Sequence, residues 1–370
     1  MLRTKHRLRS LFLLCAFLSL FTSCTRKGAR KVFRRALGRI PVVYLSVLVL
    51  LVMTIYISMT NGSFDLSVGE IVRTLLGFQA DPDSTKVIFD YRMPRVVVAA
   101  IVGFGLGLAG AVVQGVTKNG LADPGILGIS AGAGAGIMVC IFFFQDSIIS
   151  EEWFSVFIRP LFGWVGGMTA ALIIFVLSWR RGVLDVQRFI LIGIAISAMF
   201  GAVSLYLSLK MEPEDFQKAA IWVSGSIYHA NWMYIASILP WMILLTPIIL
   251  FKHRVLDLFQ LGDTTASSLG VKVNWERGAL ILCSIGVVSA CVSIAGNITF
   301  IGLIAPHITR QLVGFHHRYI FPVSGLIGML LVLIADFLAR TITPTEVPVG
   351  IVAAIIGIPY FLFLLVRGKV

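Results

Sequence analysis

The sequence predicts an all-α integral membrane protein of ten transmembrane helices, and three observations predict it. Hydrophobic residues make up 58% of the chain and charged residues 13%, against roughly 45–50% and about 25% in a soluble domain. The mean hydropathy is +0.92, more apolar character than a water-soluble fold hides but suited to lipid contact. The apolar residues also fall into runs that reach or approach the ~20 residues a spanning helix needs.

The runs lie at 41–60, 95–116, 124–144, 156–179, 188–209, 234–251, 278–296, 298–313, 320–340 and 347–366. The pair 278–296 and 298–313 is close-set, and its second member is short. Residues 39–370 form one helical domain. Residues 1–38 read as a basic cytoplasmic extension or as an upstream start mistakenly included. Leu11 to Ser23, ending at Cys24, also fits a lipoprotein signal. The cluster Arg26, Lys27, Arg30, Lys31, Arg34 and Arg35 resists translocation and argues against it.

The net charge of +13 would suggest nucleic acid in a soluble chain. Here the basic residues sit between apolar runs, as in loops retained on the cytoplasmic side. With the N-terminus inside, the inner loops hold Lys118, Arg180, Arg181, Arg188, Lys252, Arg254, Lys272, Arg277, Arg318 and the tail Arg367 and Lys369. The outer loops take most of the acids, including Asp65, Glu70, Asp81, Asp90, Glu151, Glu212 and Asp215. Ten spans return the C-terminus inside. The five cysteines have no paired spacing and read as small apolar residues.

Small residues recur at four-residue spacing: Ala99, Gly103, Gly107 and Ala111, then Gly128, Gly132 and Gly136, then Gly163, Gly167 and Ala171. They let helix backbones approach closely where lipid supplies no hydrophobic push. Prolines such as Pro124, Pro240, Pro306 and Pro348 break or start helices, which is compatible with a transport path. A weak internal echo pairs Gly120-Leu121-Ala122-Asp123-Pro124 with Gly302-Leu303-Ile304-Ala305-Pro306. If spans two to five match spans seven to ten, the odd offset inverts the repeat across the membrane.

Motifs for chemistry are few. Gly128-Ile129-Ser130-Ala131-Gly132 fits G-x-S-x-G, but a nucleophile elbow needs a strand and a tight turn, and this segment sits in an apolar span. No G-x-x-x-x-G-K-[ST] occurs, so the chain lacks that phosphate-cradling loop. The histidines are not at metal-ligand spacing, and His316-His317 reads as a solvated inner loop. No metal or cofactor site is expected in this chain.

Three polar segments stand out. The inner loop Lys252 to Arg277 contains Leu261-Gly262-Asp263 and Ala266 before Leu269-Gly270. Asp263 can cap a short helix and Gly270 can end it. Such a helix suits docking of a partner as well as plain connection. Arg92 and Arg95 flank Met93-Pro94 at the outer end of span two, and Arg340 ends span nine on that side. These arginines run against the charge bias and read equally as snorkelling groups or as a rim for an acidic partner. Asp336 and Glu346 lie near the same interface and are functional candidates as ionisable groups of spans.

Together these segments resemble the FecCD family of ABC-transporter permeases. The resemblance runs from about Tyr91 to Arg367 and rests on several blocks. These are Arg92-Met93-Pro94-Arg95, Gln114 to Gly128, Trp222 to Ser226 (WVSGS), Leu261 to Gly270, Phe300 to Arg310 (FIGLIAPHITR), Ala335-Asp336 with Arg340, and Val347 to Ile351 with Gly357-Ile358-Pro359. The family pattern has Asn-Pro where this chain has Asn119-Gly120, a departure that loosens the inner turn. The resemblance implies ten spans in a bacterial cytoplasmic membrane and a second permease subunit, identical or paralogous. It implies two cytoplasmic ATPase subunits that bind ATP, and an external substrate-binding lipoprotein. It implies an importer of ferric siderophores, with heme or cobalamin as alternatives. The segment about 257–275, centred on Leu261, Gly262, Asp263, Ala266, Leu269 and Gly270, is then the ATPase-coupling segment. Arg92, Arg95 and Arg340 are then the binding-protein docking residues. The rival class is an ion-coupled secondary transporter, which would need mid-membrane charges that this sequence largely lacks.

Overall fold

The computed structural model describes residues 29–61, 67–78, 82–148, 152–180, 183–228, 230–343 and 346–366. Residues 1–28 of the predicted extension and the tail residues Arg367 and Lys369 lie outside the described residues.

The described residues are helical, with one two-rung antiparallel ladder among them, β1 (Trp179–Arg180) to β2 (Val183–Leu184). The helices are α1 (Ala29–Thr60), α2 (Val68–Leu75), α3 (Pro82–Lys86), α4 (Met93–Thr117), α5 (Ser130–Ile148), α6 (Glu152–Ser178), α7 (Val186–Ser208) and α8 (Pro213–Val223). They continue with α9 (Trp232–Phe251), α10 (His253–Phe259), α11 (Asp263–Ser268), α12 (Val273–Ala295), α13 (Ile301–Val313), α14 (His317–Thr341) and α15 (Val349–Val366). Wide π-type turns at Val87–Arg92 and Gly125–Ile129 lead into α4 and α5.

Local chemistry sets several boundaries. The side chain of Asp185 accepts from the amides of Gln187 and Arg188 at the start of α7, and that of Asn231 accepts from Tyr234 N at the start of α9. Both satisfy amides that a helix start leaves without an intrahelical partner.

Among the described residues, eight segments are long and apolar enough to cross a membrane: Arg39–Thr60, Pro82–Thr117, Ile158–Ser178, Gln187–Ser208, Trp232–Phe251, Val273–Ala295, His317–Thr341 and Val349–Val366. The predicted third span is represented by the shorter apolar stretch Ser130–Phe144 of α5, and the predicted eighth by a short helix. The third begins only at Ser130, after a wide turn that follows Pro124. The eighth is the 13-residue α13, which starts at Phe300 with left-handed backbone (φ 68°). A 13-residue helix is about 20 Å long, less than the hydrocarbon core of about 30 Å.

Helices α4, α12 and α14 are the buried centre, with 78–83% of their most apolar stretches buried, against 17–22% for those of α1, α7 and α9. The predicted small-residue stripes fall at the contacts. Gly103 and Gly107 of α4 meet the backbone of Gly328 and Ser324 on α14, and a Cβ at Gly103 would sit 2.7 Å from the Met329 Cα. Gly132 and Gly136 face Gly166 and Phe162 on α6, and Gly163 and Gly167 face Ser293 and Ser289 on α12. The WVSGS segment has a similar role. Gly225 (φ 79°) presses on Asn297, and its carbonyl accepts from Gly350 N at 2.8 Å, tying the start of α15 to the turn before α13. The echoing segments also meet. A Cβ at Gly302 would lie 2.9–3.1 Å from Asp123 and Pro124, and buried Asp123 accepts from the amides of Gly125 and Phe300.

Candidate functional site

The helix α4 carries an ionic node at each end. Its 25 residues separate the two by about 37 Å.

At the Lys118 end lies the segment α10–α11. Gly262 takes φ 99°, a backbone that L side chains rarely adopt, and turns the chain into α11. Asp263 does not cap this helix, contrary to the expectation. The cap position is Gly262, so the Asp263 carboxylate sits one residue inside and points to neighbouring helices. It accepts from Lys118 Nζ at 2.9 Å and from Arg277 Nη2 at 2.9 and 3.0 Å. Gly270 (φ 85°) ends the helix as expected, with Gly270 N donating to Ser267 O and Val271 N to Ala266 O.

The expected coupling residues divide by burial. Ala266 is fully buried against the rest of the chain. Leu261 and Leu269 are exposed, together with Trp275, which sequence reasoning missed. Arg277 was read only as loop charge. It is buried and stacks over the Phe259 ring at 5.5 Å. Burial alone would push the Asp263 carboxyl up, but hydrogen bonds from Lys118 and Arg277, and their charges, hold it below the usual carboxylate range.

A second tie joins this segment to α14. Asp257 on α10 accepts from His317 N at 2.9 Å and lies 2.7 Å from His317 Nδ1. His317 is buried, while its neighbour His316 is exposed. The pair is thus not a solvated loop, since α14 starts here and needs an acceptor for its first amide. The imidazole and amide of His317 hold Asp257 below its ordinary range against the opposing effect of burial. Lys252 and Glu276 form a further ion pair between α9 and α12.

At the Arg95 end the three expected arginines converge, each committed within the chain. Arg95 Nε donates to Asp336 Oδ1 at 2.8 Å, and its Nη1 donates to both oxygens of Glu346 at 2.9 and 3.2 Å. Arg340 Nη2 donates to the Ser58 carbonyl at 2.8 Å, and its Nε faces Asp336 Oδ2 at 3.7 Å. Arg92 Nη1 donates to the Met59 carbonyl. Ser58 and Met59 belong to the last turn of α1, whose carbonyls lack intrahelical partners and carry the negative end of the helix dipole. Arg92 and Arg340 thus close α1. Asp336 is fully buried between Arg95 and Arg340, and Glu346 is the water-facing member of the set.

Among the described residues no group of His, Cys, Asp and Glu is placed to hold a metal ion, and Cys140, Cys283 and Cys291 are free thiols.

The chain belongs to the FecCD transport family, whose model matches residues 50–367. It is the permease subunit of an ABC importer, and ATP hydrolysis falls to a partner. It is similar to the iron-uptake system permease FeuC of Bacillus subtilis (strain 168), with 50% identity covering 88% of this chain and 97% of the relative. The iron(3+)-hydroxamate import permease FhuG of the same organism is 41% identical, covering 89% and 98%. The hemin transport permease HmuU of Yersinia pestis is 36% identical, covering 87% and 94%. A solved inward-facing metal-chelate-type ABC transporter superposes with a TM-score of 0.75 at 32% identity, over 88% of this chain and 99% of that one.

Proposed function

We propose that this chain forms half of a pore that imports ferric siderophores, with both termini cytoplasmic. The α11 end faces two ATPases, and the Asp336 end faces an external binding protein. The iron-uptake and iron(3+)-hydroxamate relatives at 50% and 41% identity support this cargo over hemin, whose permease stands at 36%. Mechanism proceeds by alternating access. ATP binding closes the ATPases, which displace α11, and the spans tilt to open the cavity inward.

The observation that carries this reading is the Asp263 carboxylate, joined at once to the end of α4 and the start of α12. A push on α11 therefore reaches two of the three central helices without passing through a flexible linker. Leu261, Leu269 and Trp275 supply the exposed apolar contact for the ATPase, and Ala266 fixes α11 to its own chain. Of the three arginines, Arg95 is the one we assign to binding-protein docking, because it borders the exposed Glu346. Arg92 and Arg340 support it by closing α1.

The test is uptake by the reconstituted permease, ATPase and binding protein. Radioiron is offered as hydroxamate, catecholate and citrate chelates, beside hemin and cobalamin. ATP-dependent uptake of a ferric chelate is expected. Transport of hemin or cobalamin alone overturns the cargo. Uptake that survives without the ATPase and collapses with the proton gradient overturns the coupling.

A further inference from the structure

We infer that Glu346 is a stand-in for a carboxylate of the docking partner: it occupies Arg95 in the undocked state and is exchanged for a partner acid on docking. This rests on the docking reading above and adds the residue that has to leave.

The two acids bound to Arg95 differ in water access. The Asp336 side chain is 0% exposed and takes the Nε edge, while that of Glu346 is 38% exposed and takes Nη1. Glu346 is the partner that can leave, because solvent rehydrates its released carboxylate, while Arg95, itself 12% exposed, keeps Asp336 as its counter-ion. A fully buried carboxylate beside two guanidiniums has no such compensation and stays. Arg95 thus has one anchored edge and one exchangeable edge.

Geometry favours the exchange. Both Glu346 oxygens crowd onto the single atom Nη1. A guanidinium binds a carboxylate best through two parallel hydrogen bonds from two nitrogens. A partner acid approaching from outside meets the Nη edge free of the constraint that the chain places on Glu346, and can align on both nitrogens. Glu346 also immediately precedes Val347, whose amide donates to Ala339 O, and lies three residues before α15. Its departure removes the side-chain link between α4 and the start of α15 while the backbone links remain. Docking is thereby felt by α15 first.

The test uses the permease–ATPase complex in nanodiscs and the purified soluble form of its cognate binding protein, with affinity measured at low and high salt. Glu346→Gln removes the competing charge at an exposed position and is expected to tighten docking roughly two- to fivefold. Arg95→Lys keeps a cation for Asp336 but loses the fork, and is expected to weaken docking about tenfold. The double variant is expected to match Arg95→Lys alone, since Glu346 acts only through Arg95. If Glu346→Gln docks no tighter than the parent while Arg95→Lys docks weakly, the exchange is wrong and the docking reading stands. If Arg95→Lys assembles and docks at parental affinity, the docking reading fails and the exchange with it. Should Arg95→Lys not assemble, the Glu346→Gln arm alone still decides the exchange.

Discussion

The nodes at the two ends of α4 use the same groups, carboxylates held between cations, but they differ in their access to water. At the Lys118 end the central carboxylate, Asp263, is 49% exposed, and so largely is Lys118. At the other end Asp336 is wholly buried and its arginine partners nearly so. Solvent screening keeps an exposed pair within about 1 kcal/mol, whereas removing one member of a buried set strands charge at roughly 3–5 kcal/mol. The buried node is thus a fixed clasp on α1, α4 and α14. The solvated node can be broken and remade at little cost. Arg277 is the exception there, since it is itself buried and keeps the link from being merely superficial.

The sharpest way to break this contrast is Asp336→Leu. It strands Arg95 and Arg340 and is expected to destabilise the purified complex by roughly 3–5 kcal/mol, seen as a large fall in melting temperature. An unchanged melting temperature would show that the clasp is not structural. Next comes Arg277→Ala, which loses a charge-assisted hydrogen bond worth roughly 1.5–3 kcal/mol and the stacking on Phe259. Cargo moved per ATP is expected to fall about tenfold while ATPase assembly persists. Ala266→Leu adds volume at a fully buried site and is expected to cost roughly 1–3 kcal/mol, displacing α11 and lowering the same ratio. The smallest effect belongs to Lys118→Ala, under about 1 kcal/mol and vanishing at high salt. Dependence on pH sharpens the same point. Because the folded Asp263 carboxyl is held low, its contribution is complete above the unfolded value near pH 4. It disappears only as pH falls through the depressed folded value. Transport per ATP is therefore expected to show no Asp263-linked step between pH 5 and 8, and such a step, abolished by Asp263→Asn, would contradict the node.

Much of the architecture was legible because it is periodic or local. Apolar runs marked most of the spans, four-residue small-residue spacing marked the helix contacts, and Gly270 marked the end of α11, whereas its start, expected at Asp263, is capped at Gly262. Ordered short blocks carried the family. The sites were legible as residues but not as partners. Arg95 and Asp336 are 241 positions apart, and Asp257 and His317 are 60 apart. Only packing brings such pairs together, and no spacing rule in one sequence encodes that packing. Arg277 and Lys118 looked like ordinary inner-loop charge, since the bias that orients a membrane protein masks any single cation with a specific partner. The three arginines expected on the outer side did violate that bias, and this was the available signal. It singled out these residues but not their use in closing the carbonyl end of α1.

The most direct test of the central claim, that α11 drives α4 and α12 through Asp263, is a double-mutant cycle on cargo transported per ATP hydrolysed in proteoliposomes. Asp263→Asn and Arg277→Gln are each expected to lower that ratio severalfold. The double variant is expected to be no worse than the more impaired single, because both remove one interaction. Strictly additive losses, or a parental ratio in Asp263→Asn, would contradict the account.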